Sequence, residues 1–255
     1  MDIDPFGSPV PFLWAALKAV KRDGFLAVTA TDTAPLSGVY PEACLRKYMA
    51  YVVRTEYHNE LGLRALLGYL ARLAAQNRFS INVKMAYSEI HYFRVYVTLD
   101  MGIERAKETL LKKLGYVHHC KSCSWRYIER GVLPSTVECE NCGGKTVAMG
   151  PLWVSDLCDE KFCEKVLEEV KKRRYRLARK EEKIVRAVIN ENKLPPTYYV
   201  VDELCEKLGT SSVSPVKLVR KLEEMGYKAS RTYLHPKGVK TDAPLEVILK
   251  AIKQL

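Results

Sequence analysis

Hydrophobic positions change period several times along the chain. Over residues 9–22, Leu13, Trp14, Leu17 and Val20 fall at helical spacing behind Pro9 and Pro11, which predicts a helix ended by Gly24. Phe25-Leu26-Ala27-Val28-Thr29-Ala30 is apolar without alternation, the pattern of a strand buried in a parallel sheet. From about residue 56 to 76, Leu63, Leu66, Leu67, Leu70, Leu73 and Ala74 line one side of a long helix. Two strands are predicted near 81–87 and 91–99, the second rich in aromatic and β-branched residues. A helix over about 104–114 is predicted to close on Gly115 as a left-handed cap.

Gly150-Pro151-Leu152-Trp153 reads as a rigid connector. Residues 160–180 read as one helix with Phe162, Val166, Leu167 and Val170 on one face. It ends in the run Lys171-Lys172-Arg173-Arg174-Tyr175-Arg176-Leu177-Ala178-Arg179-Lys180. Beyond it, Ser214-Pro215 suits a capped helix start, with Leu218, Val219, Leu222 and Met225 as the apolar face. Residues 231–239, turning at Pro236-Lys237-Gly238, suit the hairpin of a winged helix. The expected division is 1–100, 101–158 and 159–255. The first part is α/β; the rest is an α+β region with a cysteine-rich ribbon and a winged-helix-like end.

A hydrophobic content of 47% with 28% charged residues places the chain among packed globular proteins rather than disordered ones. The formal net charge of +11 favours a polyanionic partner, most simply nucleic acid. Lys18, Lys21, Arg22 and Asp23 interrupt the early apolar stretches, so no leader peptide is expected. No apolar run reaches the ~18 residues of a membrane span, and a cytoplasmic location without membrane contact is expected. In that compartment, paired cysteines favour metal over disulfides.

Cys120-Lys121-Ser122-Cys123 and Cys139-Glu140-Asn141-Cys142 are two C-x-x-C knuckles separated by fifteen residues. They are expected to place four thiolates around a structural zinc, with Gly143 and Gly144 permitting a tight turn. All four positions are filled, leaving none open for catalysis. His118 and His119 are expected outside the coordination sphere. Cys44, Cys158, Cys163 and Cys205 lack knuckle spacing and are expected to be small buried hydrophobes.

Met1-Asp2-Ile3-Asp4-Pro5-Phe6-Gly7-Ser8-Pro9 reads as the last turn of a strand running into a loop. That loop is either an ordinary turn or a catalytic element. A nucleobase amino group is a poor nucleophile, and its methylation requires an acceptor that orients its N–H groups. Asp4 is the candidate acceptor, with the Pro5 carbonyl assisting and Phe6 stacking on the base. Thr31, Asp32 and Thr33 follow a buried strand and either meet substrate or cofactor, or merely brace a turn. Arg54 and Arg64 are candidate phosphate contacts. So are Lys171, Lys172, Arg173, Arg174 and Arg176, unless that run is simply a solvated helix end.

Together these stretches resemble the tRNA (guanine-26) N-dimethyltransferase family. The resemblance rests on 2–9, on Ala27 through Leu36, on Arg54-Thr55-Glu56-Tyr57, on Glu60-Leu61-Gly62-Leu63-Arg64 and on His91 through Val97. The knuckles followed by Gly150-Pro151-Leu152-Trp153 also fit, and the likeness covers roughly residues 2–155. It implies a class I methyltransferase that uses S-adenosylmethionine to place one and then two methyl groups on the 2-amino group of a tRNA guanine. Asp4, Pro5 and Phe6 match the family's catalytic loop. The glycine-rich cofactor turn that the family carries upstream of this loop has no counterpart in the sequence. The chain is therefore expected to hold only the C-terminal half of a Rossmann-like sheet and to lack most of the cofactor site. It is expected to be inactive alone unless a separate chain supplies the other half. The contrasting possibility is a non-catalytic nucleic-acid-binding module of zinc ribbon and winged helix.

Overall fold

The first hundred residues build one mixed sheet. In the computed structural model, which describes residues 1–21, 23–173 and 175–255, β1 (Asp2–Ile3) leads through α1 (Val10–Ala19) to β2 (Phe25–Ala30). Then come α2 (Thr33–Leu36), α3 (Pro41–Tyr48) and the long α4 (His58–Gln76). The hairpin β3 (Phe79–Glu89) and β4 (Tyr92–Met101) completes the sheet in the order β1-β2-β4-β3. β1 pairs with β2 in parallel, with Asp2 opposite Ala27, and β4 pairs antiparallel with both β2 and β3. Three strands thus finish at one edge and β4 alone runs backwards. α4 packs on one face, burying Leu61, Leu63, Leu66, Leu67 and Leu70 completely.

α5 (Ile103–Lys112) leads into a second sheet of β5 (Leu114–His119), β6 (Arg126–Arg130) and β7 (Val147–Trp153), with β5 in the centre. Gly115 is not the expected helix cap. It lies inside β5, where a Cβ would come within 2.0 Å of the Glu129 carbonyl on β6. Gly150 through Trp153 is likewise not a connector but part of β7, which packs against α4. The apolar Leu152 and Trp153 are the burden of that packing, both nearly inaccessible.

The helix predicted over 160–180 is two helices, α6 (Glu160–Lys172) and α7 (Ala178–Glu191). Asp159 caps the first by accepting from the Phe162 N–H. Both pack on β3, across the sheet from α4. The C-terminal elements are β8 (Tyr199–Val200), α8 (Val201–Leu208), α9 (Pro215–Glu224), β9 (Ala229–Arg231), β10 (Gly238–Thr241) and α10 (Leu245–Lys253). Three antiparallel strands in the order β8-β10-β9 form the expected hairpin plus one more strand. α9 packs on β9 and β10, and α10 packs against α8 and α9. Ser214 stands at the cap position of α9 with Pro215 in its first turn, but its hydroxyl makes no capping bond.

Buried charges join these parts. Glu60, fully buried on α4, accepts from Arg64 Nη2 at 2.7 Å, from Lys240 Nζ on β10 at 2.8 Å and from the Thr197 N–H at 2.9 Å. Burial pushes its carboxyl up, yet Lys240 and Arg64 outweigh that and hold it at about 2. Glu191, the last residue of α7, lies 3.8 Å from Lys240 and accepts from the Tyr233 N–H. Burial dominates there and raises its carboxyl to about 7.

Candidate active site and metal centre

The loop after β1 and the loop after β2 meet at the carboxyl edge of the sheet. Asp4 and Phe6 are exposed, Phe6 fully so, while the residues that follow are tied down. The Gly7 N–H donates to Thr31 Oγ1 at 2.6 Å, and the Thr31 N–H donates back to the Gly7 carbonyl at 3.0 Å. One residue on, Ser8 Oγ lies 2.9 Å from the Tyr48 hydroxyl, and Tyr48 donates to Asp32 Oδ1 at 2.5 Å. Lys47 Nζ reaches the other carboxylate oxygen of Asp32 at 2.9 Å. Tyr48 is fully buried; burial first, and its bond to Asp32 second, push its phenol far above the ordinary range, so it stays a donor.

This geometry brings Asp4, Pro5, Phe6, Thr31, Asp32 and Thr33 together at one edge. Asp32 stands at the cap position of α2 without a side-chain capping bond; its carboxylate is spent on Tyr48 and Lys47. Sequence reasoning gave no role to Ser8, which lies within the 2–9 stretch, or to Lys47 and Tyr48, which no motif announces. It also missed the role of Asp2, whose carboxylate takes both Nη atoms of Arg94 at 2.8 and 2.7 Å. The hydrogen bonds from Arg94 are the main cause that holds the Asp2 carboxyl below its usual range. A charged residue inside the apolar alternation of 92–101 was the available signal.

The candidate RNA contacts divide. Arg54 is exposed, and its backbone packs against Gly38, just past α2. Arg64 is not a phosphate contact. It is 2% exposed, and its guanidinium is spent on Glu60 and on the carbonyls of Trp153 and Ser155. Lys171, Lys172, Arg173 and Arg176 are exposed around the α6–α7 link, with Lys172 and Arg173 both paired to Glu169. Arg174 lies outside the described residues.

Cys120, Cys123, Cys139 and Cys142 gather at the tips of the second sheet, their sulfur atoms all within 4.8 Å of one another. Cys120 to Cys142 is 3.6 Å and Cys123 to Cys139 is 3.4 Å. Zinc–thiolate bonds of ~2.3 Å in a tetrahedron impose a sulfur spacing of about 3.7 Å, so the donor set fits that metal. Gly143 takes the turn expected of it at a φ of +69°. His118 and His119 are both buried; His118 Nε2 lies 2.7 Å from Glu129 and neither ring is among the four donors. Cys44, Cys158, Cys163 and Cys205 are buried elsewhere. No helix among the described residues is long and apolar enough to cross a membrane.

A family model described as N2,N2-dimethylguanosine tRNA methyltransferase matches residues 1–253. A tRNA (guanine(26)-N(2))-dimethyltransferase of Methanobrevibacter smithii is 38% identical over 256 residues, covering 100% of this chain and 66% of that protein. A tRNA (guanine(26)-N(2)/guanine(27)-N(2))-dimethyltransferase of Aquifex aeolicus is 34% identical over 100% of this chain and 64% of its own length. The solved structure of Trm1 from Pyrococcus horikoshii with S-adenosyl-L-methionine superposes with a TM-score of 0.90 at 38% identity, over 98% of this chain and 64% of that one. The chain thus spans about two thirds of the length of these relatives.

Proposed function

Because the chain belongs to the N2,N2-dimethylguanosine tRNA methyltransferase family, we propose that it takes part in S-adenosylmethionine-dependent dimethylation of the 2-amino group of guanine 26 in tRNA. The observation that carries this reading is the Asp4–Phe6 loop, which presents an exposed carboxylate and a free aromatic ring at the carboxyl edge of parallel strands. Such edges are where open α/β sheets bind ligands. The order β1-β2-β4-β3 with only β4 reversed supports reading the sheet as the C-terminal half of a Rossmann-like sheet, with Asp4 and Phe6 on one wall of a methyl-transfer site.

S-adenosylmethionine, when bound, supplies an electrophilic methyl group on sulfur. Phe6 stacks on the extruded guanine. The Asp4 carboxylate and the Pro5 carbonyl accept hydrogen bonds from its amino group, turning the nitrogen lone pair toward the methyl carbon. Methyl transfer would leave the amino group with a proton to lose, which the Asp4 carboxylate would accept. Thr31, Ser8, Tyr48 and Asp32 hold the loop for this task. Zinc on Cys120, Cys123, Cys139 and Cys142 shapes the ribbon and takes no part in the reaction. Arg54 and the exposed Lys171, Lys172, Arg173 and Arg176 meet tRNA phosphates. The divisions 1–100, 101–158 and 159–255 correspond to methyltransferase sheet, ribbon and RNA-binding end, acting in the cytoplasm.

The test uses protein expressed from its complete gene, an unmodified tRNA transcript and S-adenosylmethionine. Nucleoside mass spectrometry should find N2-methylguanosine and then N2,N2-dimethylguanosine. Absence of both, with tRNA bound, would remove the proposal.

A further inference from the structure

The sheet face turned away from α4 carries an aromatic patch that the proposed chemistry leaves unused. Tyr87 on β3 faces Tyr92 and Tyr96 on β4. Its ring stacks on that of Tyr96 at 6.3 Å and 24°, and meets that of Tyr92 edge-on at 6.1 Å. The ring of Phe25 on β2 continues the row at 5.9 Å from Tyr96. Above these rings, α6 and α7 do not close down completely. They leave a cavity of about 340 Å³, floored by the tyrosines and edged by Leu177 and Lys180 of the basic run. The three tyrosines are half-buried; Tyr96 is covered by Tyr87 and Arg94, while Tyr87 and Tyr92 also line the cavity.

The cavity lining sets Lys180 against Glu89 and Glu181. The two carboxylates that border the cavity are already engaged: Glu89 pairs with Lys180 at 2.5 Å, and Glu181 accepts from the Tyr175 hydroxyl. Arg176 and Arg179, next in sequence to the lining residues Leu177 and Lys180, are exposed and make no ion pair among the described residues. Aromatic rings lining a cavity, with exposed guanidinium groups on the chain segment that forms its edge, suit unpaired nucleobases and their phosphates.

The position also suits one RNA molecule reaching both places. Tyr92 adjoins Phe93, which pairs with Ala30 at the carboxyl end of β2, the edge that carries the Asp4 loop. Two or three strand spacings of about 4.8 Å put the tyrosines roughly 10–14 Å across the sheet from β1. Between them Arg94 lies over the Tyr96 ring at 5.0 Å and clasps Asp2, two residues ahead of Asp4.

We propose that the Tyr87–Tyr92–Tyr96 cavity between the sheet and the α6–α7 link binds a second nucleobase of the substrate RNA, separate from the one methylated. This rests on the tRNA reading above, and its test is a binding measurement that does not require methyl transfer. The dissociation constant for an unmodified tRNA transcript is measured against salt for wild type, Tyr92→Leu, Tyr87→Leu and Arg176→Gln, each checked for an unchanged thermal transition. Loss of one base stack should weaken binding roughly 5- to 150-fold while leaving the salt slope unchanged, because no phosphate contact is lost. Arg176→Gln should instead reduce the slope by about one. Should a tyrosine variant fail to fold, ultraviolet cross-linking of wild type to a 4-thiouridine-bearing transcript decides, with adducts expected on peptides carrying Tyr87 or Tyr92. Both tyrosine variants binding within twofold of wild type, or adducts mapping only elsewhere, overturns the proposal while leaving the methylation reading intact. Tight capture of tRNA with the cavity filled by an apolar protein segment would overturn it equally. Failure of wild type to bind tRNA at all would instead remove the functional reading on which it rests.

Discussion

Lys240→Met removes the one cation shared by two buried carboxylates. Lys240 is 2% exposed and stands 2.8 Å from Glu60 and 3.8 Å from Glu191. Methionine fills nearly the same volume, so cavity formation contributes little. Glu60 would keep Arg64, but Glu191 would have no cation within reach among the described residues, and breaking a buried pair in this way costs about 3–5 kcal/mol. The cost should depend on pH, because Glu191, already raised to about 7, can escape by taking a proton. At pH 6 the loss should therefore be smaller than at pH 8. Urea denaturation followed by far-ultraviolet circular dichroism at both pH values measures it. In a chain of 255 residues the loss corresponds to a fall in Tm of roughly 6–20 °C. Lys250→Met, an exposed lysine on α10, serves as the control and should change stability by less than about 0.5 kcal/mol. A Lys240→Met protein within 1 kcal/mol of wild type at pH 8, or one more stable, would refute the reasoning: the winged sheet would then be held to α4 without its buried ammonium.

Four further outcomes are expected. Glu191→Gln should flatten the pH dependence of stability. The carboxyl rises from 4.5 to about 7 on folding, so its protonated form stabilises the fold, and that contribution is lost as pH climbs through 7. Wild type should lose about 3 kcal/mol between pH 4.5 and 8 relative to the variant; parallel curves would discard the assignment. Tyr48→Phe deletes the hydroxyl that joins Ser8 to Asp32 and should lower kcat for methyl transfer about tenfold or more, with KM for tRNA little changed. Asp4→Asn at the same loop should abolish turnover, and an unchanged kcat in either variant would detach that residue from the site. Purified protein should carry one zinc per chain. Cys139→Ser should lose it and expose residues 120–145 to proteolysis, whereas a metal-free protein with an intact ribbon would sink the assignment.

What the sequence disclosed followed the kind of signal each element leaves. Periodicity found α1, β2, α4 and the β3–β4 hairpin, because each has a long apolar face with little competing for it. The knuckles at Cys120 and Cys139 were legible because metal chelation fixes spacing as well as residue type. Gly115 misled because glycine serves equally a helix end and a tight strand crossing, and only the approach of Glu129, fourteen residues on in the neighbouring strand, chooses between them. The break between α6 and α7 was hidden because Lys, Arg, Leu and Ala are all good helix formers; docking of both helices on β3 overrides that preference. Arg64 misled in the other direction. Its sequence neighbourhood looks like a charged helix start, and only the folded chain reveals that Trp153 and Ser155 turn their carbonyls toward it.

The first turns of α4 explain why methyl transfer and RNA binding would be linked through rigid parts. Tyr57, just ahead of the helix, holds the Arg126 guanidinium of the ribbon 4.1 Å from its ring centroid, and Tyr199 of the winged sheet lies 3.9 Å away from the same group. Arg126 also donates to Glu56 at 2.7 Å, while Glu60 and Arg64 bind β10 and the end of β7. An apolar contact between these parts could slide by a few ångströms at little cost, whereas a buried charge displaced that far loses its partner. The same α4 packs beneath β3 and β4, so its position fixes the sheet as well. The distance from the Asp4 loop to the ribbon and to the winged sheet is thereby set by directional bonds. On the proposed reading, an RNA held by the exposed Lys171, Lys172, Arg173 and Arg176 would reach the loop at a fixed depth, a geometric basis for choosing one base along a chemically uniform backbone.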